Sequence, residues 1–297
     1  MGAKAVQVLV TGATGFIGKS LVPTLDAQGH DVLAGTRRPD GYRGEGRAVA
    51  FDVEDPSTLD AAVEGCDAAY YLVHGMAGSG DFEKRDRHAA EAFGDAAARH
   101  GVKVIYLGGL GDHESTAGRS AHLRSRHEVG AVLRDRAETV ELQAAVVIGN
   151  GSVAFEIMRQ LVHHLPVMVC PSWVTTRSQP IALDDMIRYL VAGLDLAPER
   201  YPVGGADILT YEEMMRHYAR ITGRRRLVVK VPVLSPGLSA HWIGLVTDQS
   251  AQVARYLAEG LSVEVIATDD RIRKLVPFEP MGFDDAVLRA LASRPAS

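Results

Sequence analysis

Cysteine is scarce: Cys66 and Cys170 are the only two in 297 residues, and they stand far apart. That excludes a disulfide framework and a cysteine-based zinc pattern, so both are expected as reduced, buried thiols. A surplus of basic charge is lacking too. The formal net charge is −5 and charged residues make up 23%, which argues against nucleic acid as a main partner. The short run Arg224-Arg225-Arg226 reads as a solvated helix end. No apolar run can span a bilayer: the longest, at 231–246, is broken by Pro232, Pro236, His241 and serines. There is no secretory leader pattern, internal repeat or low-complexity linker, and the expected compartment is cytoplasmic.

What is present is apolar mass. At 46% hydrophobic, the chain can bury a sizeable core as one large α/β domain or two unequal lobes. Apolar runs alternate with helix-period segments, the sign of a parallel sheet. Strands are expected at 5–11, 31–36, 48–51, 68–73, 102–107 and 139–148. Helices are expected at 15–28, 56–64, 81–100 and 120–136, with Gly29 and Gly101 closing the first and third. After Gly149 the rhythm changes: helices at 154–164, 184–194 and 211–222 alternate with a Pro-rich crossing and a short strand at 201–204. The expected architecture is a doubly wound parallel α/β sheet at 1–150 with a smaller, mostly helical lobe at 151–297. Residues 179–205 are expected to return to the core.

The sharpest signal is Val10-Thr11-Gly12-Ala13-Thr14-Gly15-Phe16-Ile17-Gly18, placed after a strand and at the start of a helix. Gly12 permits the tight turn, Gly15 lets a pyrophosphate approach the backbone, and Gly18 lets the helix pack on the sheet. Free N–H groups at the helix start then face the phosphates. These features mark a Rossmann dinucleotide-binding unit. The end of the second strand selects the cofactor. Where an NAD site places a carboxylate, this chain has Thr36 followed by Arg37 and Arg38. A guanidinium pairs with a 2′-phosphate, so NADP(H) is favoured over NAD(H). Asp52-Val53 are candidates to flank the adenine, with Asp52 equally suited to a turn. The fourth strand ends Leu72-Val73-His74, close to the sheet's switch point.

Taken together, these residues resemble the short-chain dehydrogenase/reductase superfamily. The resemblance is to its atypical, extended members, such as NmrA-like proteins and the nucleotide-binding accessory subunit of respiratory complex I. Further matches are the strand at 104–107, the stretch 141–149, Gln179-Pro180-Ile181 and the stretch 204–213. The resemblance implies a doubly wound sheet whose C-terminal segments cover a substrate pocket. It also exposes departures. Active members carry a Ser or Thr after the fifth strand and a Tyr-x-x-x-Lys on the next helix. Here the strand ends Tyr106-Leu107-Gly108-Gly109, and by spacing His122 takes the Tyr slot and Arg126 the Lys slot. Gln143-Ala144 replaces the usual Arg-Pro after the sixth strand.

Two readings of that pair stay open. Either His122 donates a proton while Arg126 binds ribose or an oxyanion, both on one helix face, or the catalytic pair has been lost. Three functions follow. The first is NADP(H)-dependent reduction of a hydrophobic carbonyl, enone or quinone-like small molecule. The second is a non-catalytic NADP(H)-binding sensor or scaffold that acts through a protein partner. The third is epimerisation or dehydration around a retained cofactor. Assembly as a homodimer is compatible with each. No serine-nucleophile elbow or metal-ligand spacing is present. His163 and His164 are expected to diverge as surface or structural residues, and Trp173, Trp242, Met76, Met158 and Met168 are expected mainly in the core.

Overall fold

The computed structural model describes residues 5–73, 82–111, 121–231 and 260–294. In chain order its first half comprises β1 (Gln7–Thr11), α1 (Gly18–Ala27), β2 (Asp31–Thr36), β3 (Arg47–Ala50), α2 (Ser57–Val63), β4 (Ala68–Tyr71), α3 (Phe82–His100), β5 (Lys103–Gly109), α4 (Ala121–Arg136) and β6 (Thr139–Ala144). There follow β7 (Val147–Ile148), α5 (Val153–His164), β8 (Val167–Pro171), β9 (Arg177–Ser178), β10 (Ile181–Ala182), α6 (Leu183–Ala192), β11 (Arg200–Val203), β12 (Leu209–Thr210), α7 (Tyr211–Ile221) and β13 (Leu227–Val231). The described elements end with α8 (Arg271–Leu275) and α9 (Phe283–Ala292).

Two compact units result. One holds Met1–Gly108, Ser125–Gln143 and Ile187–Tyr201; the other holds Gly109–Arg124, Ala144–Met186 and Pro202–Ser297. In the first, seven strands form a sheet in the order β11-β6-β5-β4-β1-β2-β3. The pairings β1–β2, β1–β4, β2–β3 and β4–β5 are parallel. The chain builds outward from β1 to β3, then returns to β1's other side with β4. That reversal opens a crevice beyond the carboxyl ends of β1 and β4. Strand β1 is apolar because it sits mid-sheet: Val8, Leu9 and Val10 are fully buried. One core cluster joins Leu9, Tyr71, Phe93, Val104 and Leu133, with the Tyr71 and Phe93 rings 4.9 Å apart. Gly29 and Gly101 follow α1 and α3 with φ of 85° and 67°.

Several boundaries differ from the sequence expectation, each for a local reason. Helix α1 starts at Gly18, not at 15, because the Gly15 N–H bonds back to the Gly12 carbonyl at 2.9 Å and closes a turn first. Strand β5 continues through Gly108 and Gly109. The expected strand 139–148 is two strands, since β7 leaves β6 to pair in parallel with β10.

The second unit has its own core, built from Phe155, Met168, Val174, Met214, Tyr218 and Phe283 among others. Helix α7 starts with a reciprocal cap in which the Thr210 hydroxyl accepts from the Glu213 N–H while the Glu213 carboxylate accepts from the Thr210 N–H. Asp207 accepts from the Phe283 N–H at 2.7 Å and so caps α9. Strands β8 and β13 form a two-stranded parallel sheet. Arg224–226 is not a helix end: α7 stops at Ile221, Gly223 turns the chain with φ 67°, and the triplet leads into β13. The rings of His163 and His164 do not diverge but stand edge to face, 5.4 Å apart. Both cysteines are free and buried, and burial pushes each thiol up to about 11. No helix of the described residues is long and apolar enough to cross a membrane.

Candidate functional site

The loop after β1 is shaped by what its glycines allow. Gly12 turns with φ +66°, and a Cβ there would stand 3.4 Å from the Leu72 carbonyl of the neighbouring strand end. At Gly18 a Cβ would fall 2.3 Å from the Gly12 carbonyl and 2.7 Å from the Ala13 Cα. Both obstacles are backbone, so only glycine lets helix and loop meet this closely. Thr11 then clamps the two strand ends. Its hydroxyl donates to the Tyr70 carbonyl at 2.9 Å and accepts from the Leu72 N–H at 3.0 Å. The Phe16 and Ile17 N–H groups have no intramolecular acceptor among the described residues, while both side chains are half-buried and Ala13 is buried. This arrangement fits an anionic group: unpaired donors at a helix start, with no Cβ in the way.

A cleft of about 1120 Å³ extends from this loop within the first unit. Gly12 and Thr14 line one part of it; Thr36, Arg37, Arg38, Asp52 and Val53 line another. Arg37 and Arg38 are exposed and have no carboxylate partner among the described residues. The Asp52 carboxylate accepts from the Glu54 N–H at 3.0 Å, so one of its oxygens holds a turn. Val73 lines the cleft and packs on the core, and Leu72 holds its place through Thr11. His74 lies outside the described residues, as do Met76, Ser120 and Trp242.

The proposed chemical pair is not in that cleft's lining. His122 is half-buried on α4. The Arg126 guanidinium donates to the Leu107 carbonyl and stacks on the Tyr106 ring, 5.8 Å from its centroid. The Tyr106 hydroxyl donates to the Arg126 carbonyl at 3.0 Å. Arg126 is thus fastened to the end of β5. Burial pushes the Tyr71 and Tyr106 phenols up from their ordinary values, so neither is a base near neutral pH.

Gly108, where the resemblance leads one to expect a hydroxyl, stands against a buried carboxylate. Glu141 on β6 has a side chain with no exposure, ion-paired to Arg134 and accepting from Gln143 at 2.8 Å. A Cβ at Gly108 would stand 2.8 Å from the Glu141 Oε1, and one at Gly130 would stand 2.5 Å from it. Both glycines make room for this carboxylate.

Sequence reasoning missed Arg85, Asp86 and Ala89 of α3, which line the cleft. It gave Ser125 no role; its hydroxyl donates to Asp86 at 2.8 Å. Tyr42 also lines the cleft, with its hydroxyl donating to the Glu45 carbonyl at 2.8 Å and its phenol raised by burial and by Glu45. No local pattern points to α3. Glu141 did leave a signal, a carboxylate within the wholly buried strand TVELQA. Among the described residues no group of His, Cys, Asp and Glu could hold a metal ion.

Comparison with known proteins agrees with this geometry. The NAD(P)H-binding family matches residues 12–159. The chain is 26% identical over 226 residues to the mitochondrial NADH dehydrogenase [ubiquinone] 1 alpha subcomplex subunit 9 of Arabidopsis thaliana, covering 70% of this chain and 56% of that one. The chain thus spans little more than half the length of that relative. It is also 26% identical over 246 residues to a ceramide reductase of Caulobacter vibrioides, covering 78% of this chain and 74% of that one. In fold it is similar to a nucleoside-diphosphate-sugar epimerase of Staphylococcus aureus, with a TM-score of 0.76, 16% identity and coverage of 95% and 99%.

Proposed function

We propose that this chain, which matches the NAD(P)H-binding family over residues 12–159 and resembles the atypical short-chain dehydrogenases/reductases, is an NADP(H)-dependent oxidoreductase acting on a hydrophobic carbonyl, enone or quinone-like molecule. The observation that carries the cofactor choice is that Arg37 and Arg38 line the same cleft as the glycine loop, with Thr36 where a selective carboxylate would stand. Gly12 to Gly18 hold the pyrophosphate through backbone N–H groups, Arg37 or Arg38 takes the 2′-phosphate, and Asp52, Val53, Leu72, Val73 and His74 flank the rest. A bound NADPH supplies a hydride. His122 supplies the proton to the substrate oxygen, and Arg126, fastened to Leu107, steadies the developing negative charge. Residues 151–297 select the substrate. The ceramide reductase among the relatives supports an apolar one, since its name assigns that protein a lipid.

The test is NADPH consumption against a panel of apolar ketones, enones and quinones, for the wild type and His122→Ala. Turnover by the wild type, with His122→Ala slowed about 100-fold at unchanged NADPH affinity, is the expected result. Turnover equal in both proteins removes His122 from the chemistry.

A second reading has its own observation. The Arg126 guanidinium is already engaged by Leu107 and Tyr106, and no Tyr-x-x-x-Lys accompanies it. That favours an NADP(H)-binding sensor or scaffold acting through a protein partner. NADPH binding without turnover of any panel member is its expected signature.

A further inference from the structure

The second unit carries an apolar surface that its own core does not use. In the β8–β13 sheet, Leu227 pairs with Val167 and Val229 with Val169. These four project on one face and are 59%, 47%, 39% and 41% exposed. The alternate residues Met168, Cys170 and Val228 turn the other way into the core. Parallel sheets are ordinarily covered on both faces, so four exposed branched residues in paired register form an outward-facing contact surface.

In sequence, the two stretches that build this face are short of carboxylates. The sequence has no Asp or Glu from 157 to 183, nor from 214 to 247, although the whole chain is net −5. Those two stretches carry Arg159, Arg177, Arg216, Arg220, Arg224, Arg225, Arg226 and Lys230. Five of these pair with carboxylates elsewhere: Arg159 with Glu156, Arg177 with Glu264, Arg216 and Lys230 with Glu212, and Arg220 with Asp284. Arg224, Arg225 and Arg226 have no carboxylate among the described residues. Arg226 is tied to the Val162 and His163 carbonyls, and Arg224 approaches His163 at 3.4 Å. The uncompensated cations therefore collect where α5 runs into β8 and Gly223 into β13, at the amino end of the apolar face. Desolvation holds the His163 imidazole below its usual range, helped by Arg224, His164, Arg159 and Arg226.

We propose that the β8–β13 face is a peripheral docking surface for an anionic lipid bilayer, with Val167, Val169, Leu227 and Val229 entering the interface and Arg224 and Arg225 meeting headgroup phosphates and carboxylates. Apolar contact flanked by uncompensated cations is the chemistry of an interfacial membrane contact. A second copy of this chain would cover the apolar face but would leave Arg224 and Arg225 without an anionic partner, unless it brought carboxylates to them. A nucleic acid would use the cations and leave the apolar face exposed.

The test is flotation of the full chain with vesicles of phosphatidylcholine alone and of phosphatidylcholine carrying about one-third phosphatidylserine. Binding to the second and not the first, and its loss at about 0.5 M salt, is expected. Arg224→Glu/Arg225→Glu weakens that binding about tenfold or more, and Leu227→Ser/Val229→Ser does the same, with the thermal midpoint of each variant close to wild type. The proposal is overturned if the chain floats with neither vesicle, if it binds both equally, or if the folded variants bind as wild type does. A concentration-dependent dimer that Leu227→Ser/Val229→Ser abolishes assigns the face to a second copy instead.

Discussion

Glycine follows the end of β1 and closes β5, and the two places use it for opposite purposes. Beyond β1, Gly12 lines the cleft and Gly18 lets the backbone fold tightly on itself, leaving the Phe16 and Ile17 N–H groups without an acceptor among the described residues. Near the end of β5, buried Gly108 leaves room for the protein's own carboxylate, Glu141. The first end spends its space on a ligand; the second spends it on an internal ion pair. The glycine loop after β1 thus keeps its space open, whereas the space beside Gly108 is taken by Glu141, which is paired with Arg134.

Breaking the second end has the larger expected effect on stability. Glu141→Ala strands Arg134, which is partly exposed, and empties the space that Gly108 and Gly130 keep. The expected cost is about 3 kcal/mol in denaturant unfolding, with NADPH affinity of the folded protein unchanged. An affinity loss as large as the stability loss would merge the two ends into one site.

At the first end, Gly18→Ala places a Cβ against backbone that cannot yield without moving the loop. About 2 kcal/mol of stability and at least about tenfold in NADPH affinity are expected to go together, read by thermal unfolding and fluorescence titration. Arg126→Ala sharpens the contrast. It removes the bond to Leu107 and the stacking on Tyr106, for about 1 kcal/mol, and leaves NADPH affinity within about twofold if the cleft lining alone sets binding.

The smallest effect lies away from both ends. The Glu213 carboxyl is held below its usual value by the Thr210 N–H and hydroxyl. A lowered folded-state pKa contributes stability that is full above the unfolded value and is lost as pH falls through the folded one. Thr210→Ala is expected to cost about 1 kcal/mol at neutral pH and to flatten the acid limb of the stability curve. An unchanged acid limb would show that the cap does not carry this dependence.

The sequence exposed the first end clearly and the second hardly at all. The glycine loop, the apolar β1 and the Arg37-Arg38 pair are local patterns, legible without a partner. Their limits were local too: the Gly12–Gly15 turn displaced the start of α1, and the β7–β10 pairing cut the sixth strand short. The cleft residues Arg85 and Asp86 sit on a different element from the loop, and no spacing announces them. Thr11 could have been noticed as the polar residue that closes the apolar run Val8-Leu9-Val10, yet its role needs Tyr70 and Leu72 beside it. Gly108 looked like the loss of a catalytic hydroxyl; the structure shows that a side chain there would also meet the Glu141 carboxylate.

The most direct test of the account is titration of NADPH and NADH against the wild type and Arg37→Ala/Arg38→Ala. The account predicts tighter NADPH binding by wild type, and loss of about tenfold or more of that affinity in the variant with NADH binding nearly unchanged. Equal binding of the two cofactors by wild type, or equal loss of both in the variant, would contradict it.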